Sequence, residues 1–172
     1  MADGTFAVLL WGLGLLDMSQ NYCGTELGCF GRTETTPRVA ISAGEVLERR
    51  AKPAGEVYLR YDLGHKRGPF GSAAGLSVGE HGEVWLGYGQ TYTMTLGDRL
   101  YAELHAMPGL YIDNGGFDLG GPIEFRSGIE FGYETRMGWR FGVSYDHRSN
   151  AGIYKHNPGI ETVQLRVSIP TR

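Results

Sequence analysis

From Arg38 onward, hydrophobic and polar residues alternate with a period of two, in stretches of roughly ten residues. The stretch around Met137 puts Trp139, Phe141, Val143, Tyr145, His147 and Ser149 on one face and Gly138, Arg140, Gly142, Ser144, Asp146 and Arg148 on the other. The next stretch sets Glu161, Val163, Leu165, Val167 and Ile169 against Ile160, Thr162, Gln164, Arg166 and Ser168. The pattern predicts eight strands, near 38–47, 55–64, 69–79, 83–95, 98–112, 122–134, 137–149 and 159–169. Turn residues such as Gly68-Pro69, Gly97-Asp98 and Asn114-Gly115-Gly116 separate most of them. No stretch reads as a convincing helix, and no linker divides the chain. The fold class is therefore all-β.

Alternation alone suits a soluble lipocalin-like barrel, apolar inside, as well as a transmembrane barrel with the polarity reversed. Two features favour the membrane form. The polar faces are rich in glycine, which leaves room for Arg and Glu inside a narrow eight-stranded barrel. The apolar faces carry Trp139, Tyr145, Tyr133 and Tyr92 toward their ends, as interfacial girdles do. Arg60, Glu103, Glu124, Arg126, Glu130, Arg140 and Arg166 then read as an ion-pair network plugging the lumen. The terminal Ile169-Pro170-Thr171-Arg172 departs from the closing aromatic of many such barrels.

Ahead of the barrel, assigned to 37–172, residues 1–36 form an N-terminal leader of uncertain structure. Its apolar run Phe6 to Leu16 has the length of a signal-peptide core but no basic flank, since the first basic residue is Arg32. A degenerate signal, a leader of the mature chain and an extra strand all fit; Gly12 and Gly14 count against a soluble core helix. Composition narrows the function. A net charge of −3 offers no basic surface for nucleic acid. Cys23 and Cys29, six apart, suit either a local disulfide in an oxidising compartment or two free thiols. With no second cysteine or histidine cluster nearby, a metal site at the cysteines is not expected.

The candidate chemistry lies in His147-Arg148-Ser149-Asn150 and Asn157-Pro158-Gly159-Ile160-Glu161. His147 and Ser149 share a strand face. Glu161 falls on the same face of the neighbouring strand, where same-face residues approach to about 5 Å. A glutamate that orients an imidazole, which in turn takes a serine proton, is the arrangement of a serine hydrolase. Asn150, Asn157 and the amides around Gly159 are candidate oxyanion donors. Ordinary rim residues are the competing reading, because His, Ser and Asn are common at strand ends. A glutamate on an otherwise lipid-facing stripe weighs against it, since an isolated charge there is costly.

These residues resemble the C-terminal signature of PagL-type lipid A 3-O-deacylases, with Phe125-Arg126-Ser127-Gly128 similar to the preceding block. The resemblance is specific over 122–170, architectural over 38–121 and absent over 1–36. It implies an eight-stranded outer-membrane barrel that removes an ester-linked acyl chain from lipid A, without a metal or organic cofactor. Ser149 would be the nucleophile, His147 the base and Glu161 the third member. Asn157 and Asn150 would stabilise the oxyanion, and Phe125 would contact the acyl chain. The expected partners are lipid A and the surrounding outer-membrane lipids. With both termini periplasmic, the site faces outward at outer-leaflet height. A homodimer occluding the site, a non-catalytic small barrel and a soluble lipid carrier remain the alternatives.

Overall fold

The computed structural model describes residues 4–47 and 53–171, so residues 1–3 of the leader and the terminal Arg172 lie outside the described residues. A helix, α1 (Thr5–Asn21), comes first and a short strand, β1 (Arg32–Glu34), follows. Eight long strands come next: β2 (Arg38–Leu47), β3 (Ala54–Arg67), β4 (Phe70–Gly79), β5 (Val84–Thr95), β6 (Leu100–Ile112), β7 (Ile123–Glu134), β8 (Arg140–Ser149) and β9 (Ile160–Pro170). Each pairs antiparallel with its neighbour, and β2 pairs with β9 to close an eight-stranded barrel. The eight strands expected from alternation are all present, with ends shifted by a few residues. β1 lies outside the closure, paired with the overhanging end of β3.

The polarity is inverted, as in a membrane barrel. Leu165, 70% exposed, and Val57, Leu59, Val143 and Phe131 face outward. Inside, Arg126 is fully buried among Glu56, Asp146 and Gln164. Arg60 pairs with Glu103 and Asp62, and Arg166 with Glu130. Lumenal glycines make the room: a Cβ at Gly75 would strike the Tyr58 ring, and one at Gly132 the Tyr101 ring. The expected ion-pair plug is therefore present, with two changes of membership. Glu56, Asp146 and Arg148 belong to it. Glu124, though buried, has no partner for its carboxylate among the described residues.

The leader, whose structure the sequence left open, contains a helix. α1 is apolar on every side, with Val8, Leu13 and Leu16 exposed opposite the buried Leu10 and Met18. It has no amphipathic face because one side meets an apolar barrel wall and the other an apolar surround. At 17 residues it measures about 25 Å. No described helix is long and apolar enough to cross a membrane by itself, and α1 instead lies along the outside of β5, β6 and β7. Gly14, unfavourable as a helix former, is where the Phe70 ring presses on the helix, and a Cβ there would lie 2.2 Å from that ring. On β6, the outward Ala102 and Leu104 are buried beneath α1.

Tyr92, expected in an interfacial girdle, is instead covered by α1 in a cluster with Phe70 and Leu10. Trp139, Phe141 and Tyr133 remain exposed at the rim where β7 turns into β8. Cys23 and Cys29 form a disulfide in the loop after α1. That loop sits at the rim of the β3–β4 turn, where Gly68 donates its N–H to Gly31. Residue 4 lies at the opposite rim, among the cavity residues of the site. The expectation that both ends of the chain share one side therefore applies to the barrel strands, where Arg38 faces Pro170, and not to α1.

Candidate active site

β7, β8 and β9 carry the site side by side. In register, His147 faces Ser127 on β7 and Glu161 on β9, while Ser149 faces Phe125. Alternation points all of these outward, while Arg126, Asp146 and Arg148 between them point into the lumen. Arg126 clamps Asp146 at 2.6 and 2.8 Å, so the inner face of the β7–β8 pair fixes the strands that present the outer face.

His147 Nδ1 lies 3.1 Å from Glu161 Oε1. A Nδ1–H donated to that carboxylate fixes the tautomer and leaves Nε2 as the basic nitrogen. The Tyr145 hydroxyl lies beside the same carboxylate. The other edge of the imidazole meets Gly159, at φ +64°, where a Cβ would lie 3.0 Å from His147 Cε1. Glycine is suited to the backbone at this point and to the close approach of the ring.

Ser149 is half-buried at the end of β8 and shares the cavity with His147, but among the described residues its hydroxyl is not hydrogen-bonded to the imidazole. Catalytic hydrogen bonds commonly tighten only when substrate is bound. Ser127, directly opposite His147 and buried, is a second hydroxyl beside the same ring.

The two asparagines have different surroundings. Asn150 is fully buried. Its Nδ2 donates to the carbonyls of Leu119 (2.8 Å) and His156 (2.7 Å), and its Oδ1 accepts from Gly152 N. Both its donors are engaged in tying together the β6–β7 and β8–β9 loops. Asn157 is exposed and lines the cavity, its Oδ1 accepting from Asn150 N at 3.1 Å. That bond leaves Nδ2 of Asn157 available to a ligand. Phe125 lines the same cavity. Among the described residues, no three His, Cys, Asp or Glu side chains gather to hold a metal ion.

The lipid A 3-O-deacylase (PagL) profile matches residues 53–170. The chain belongs to that family. No curated protein matches it. Among solved structures, that of the outer membrane enzyme PagL aligns with a TM-score of 0.61 at 23% identity, over 77% of this chain and 99% of that one. A de novo designed transmembrane β-barrel aligns at 0.59 and 13% identity, over 80% and 96%. Neisserial surface protein A aligns at 0.57 and 10% identity, over 81% and 99%.

The PagL-family chain is thus an outer-membrane β-barrel, and the soluble-carrier alternative is set aside by its charged lumen and apolar exterior. The structure brings His147 and Glu161 into contact, sets Ser149, Phe125, Asn157 and Gly159 around the same cavity, and leaves Asn150 out of it. Sequence reasoning overlooked Ser127 as a neighbour of the imidazole. Its place opposite His147 in the expected β7–β8 hairpin was the available signal.

Proposed function

We propose that this chain is a serine esterase that removes an ester-linked acyl chain from the 3-O position of lipid A in the outer leaflet. The observation that carries the reading is the His147–Glu161 pair on an outward face, at the mouth of a cavity shared with Ser149 and Asn157. A carboxylate on a lipid-facing wall is expensive and persists where it has work to do.

In the proposed reaction, the Ser149 hydroxyl attacks the ester carbonyl and its proton passes to His147 Nε2. Glu161 stabilises the resulting imidazolium, and Asn157 Nδ2 donates to the oxyanion. The bond between the acyl carbon and the sugar oxygen breaks as His147 Nε2–H protonates the departing alkoxide, which leaves as the free 3-hydroxyl, with the acyl group on Ser149. Water, activated by His147, then cleaves the acyl-enzyme and releases the fatty acid. No cofactor enters these steps. The substrate reaches the site laterally, from within the leaflet.

Incubation with lipid A, read by mass spectrometry, tests this. The expected product has lost one ester-linked acyl group from a 3-O position, and the free acid appears in equal amount. Unchanged lipid A in the presence of folded barrel would leave the non-catalytic alternative.

The asparagines give a sharper prediction. Asn157→Ala should lower kcat about 10²- to 10³-fold with KM little changed, as removal of one oxyanion donor does. Asn150→Ala should instead loosen the two loops, lowering the thermal midpoint and raising KM, with a smaller loss in kcat. Equal kinetic behaviour of the two variants would contradict these assignments.

A further inference from the structure

We propose that α1 is the outer wall of an acyl-chain channel, and that Ala7 and Trp11 set the length of chain the site accepts; this rests on the esterase reading above. The channel is a cavity of about 880 Å³ running from Ser149 and His147 along the barrel wall to Tyr88 on β5. Strands alone present a convex surface. Here Gly4, Ala7 and Trp11, at helical spacing on one face of α1, roof it over about 10 Å of helix.

The floor is low where the roof passes. Ala106 and Pro108 lie between the bulkier Leu104 and Leu110 of the same outward stripe. The β5–β6 pairing passes from Gly87–Gly109 to Gln90–Ala106 with no partner at Pro108, which has no N–H to give. The lower end is stopped by Trp11, whose ring lies 5.1 Å from that of Phe70. Beside the cavity, Phe6 packs edge-on against Tyr145, 5.8 Å between centroids, and holds the start of α1 against β8. The polar site lies at one end, and Ala7, Trp11, Ala106, Met107 and Pro108 line the stretch beyond it, with Gln90 beside Tyr88 at the far end, which fits the carbonyl and tail of a fatty ester. The family match covers residues 53–170 and does not extend to α1.

Ala7→Trp narrows the channel beside the site and Trp11→Ala opens its far end. With decanoyl and palmitoyl esters of glucosamine as paired substrates, the palmitoyl-to-decanoyl ratio of kcat/KM should fall at least tenfold in Ala7→Trp and rise severalfold in Trp11→Ala. Ratios unchanged in both variants overturn the proposal. Occupancy is read without turnover in Ser149→Ala, using a palmitoyl ester with a terminal diazirine and peptide mapping after photolysis. Cross-links should concentrate on residues 4–11 and 88–90. Labels spread along the outer wall, as bulk lipid would leave them, also overturn it. A labelled channel in a protein that never hydrolyses lipid A refutes the esterase reading and keeps the channel. Hydrolysis with an unlabelled channel does the reverse.

Discussion

Ser149→Ala leaves the barrel folded and lowers fatty-acid release from lipid A by at least about 10³-fold. The hydroxyl is replaced by hydrogen at a half-buried strand end where it makes no hydrogen bond among the described residues, so stability should change by less than about 1 kcal/mol. His147→Ala should cost a similar factor. The double variant should be scarcely worse than either, because nucleophile and base act as a unit. Ser127→Ala is the control that gives the result its meaning. Ser127 is directly opposite His147 in register, closer in strand geometry than Ser149, which is two residues away on the same strand. If Ser149 is the nucleophile, Ser127→Ala stays within a few-fold of the unaltered chain. Retained turnover in Ser149→Ala together with collapse in Ser127→Ala would move the nucleophile to β7.

The contact between His147 and Glu161 was legible before any coordinates, and for a physical reason. In an antiparallel barrel, alternation fixes the face of each residue and the hairpin fixes its partner, so two residues of like parity near the same rim must meet. The same logic had the chemistry facing outward. It could not divide the asparagines, since Asn150 and Asn157 are the same residue type at the same rim and differ only in which loop carbonyls come within reach. Nor could it pair the lumenal ions. Several arginines and acids share one interior, and which of them meet depends on the stagger of strands distant in sequence, as with Arg126 and Glu56.

α1 was hidden for a different reason. A helix is recognised by a face, and one lying between an apolar wall and an apolar surround has none. Its trace in the sequence was indirect: alanines at 102 and 106 on an outward stripe whose other members are leucine, isoleucine and Pro108, and two glycines in an apolar run, one of which meets Phe70.

The largest effect on stability is expected at Arg126. Its guanidinium binds Asp146 through two nitrogens, Glu56 at 2.8 Å and Gln164 at 3.1 Å, and stacks 4.0 Å above the Tyr58 ring. Arg126→Met fills much of the same volume but strands the buried Asp146 carboxylate, which keeps only His105 at 3.5 Å, while Glu56 keeps Arg148. Breaking one side of a buried ion cluster typically costs about 3–5 kcal/mol, so the denaturant midpoint of the barrel should fall sharply. The cost arises from the unpaired charge and not from the loss of attraction alone. Arg126→Met combined with Asp146→Asn should therefore recover most of the midpoint. A double variant as unstable as the single one would show that the guanidinium acts through packing on Tyr58 instead. Phe125 and Ser127 flank Arg126, and His147 follows Asp146, so the single substitution loosens the strands that carry the site. Its residual folded fraction should show reduced kcat, and the double variant, with the strands again held, should regain activity in step with stability.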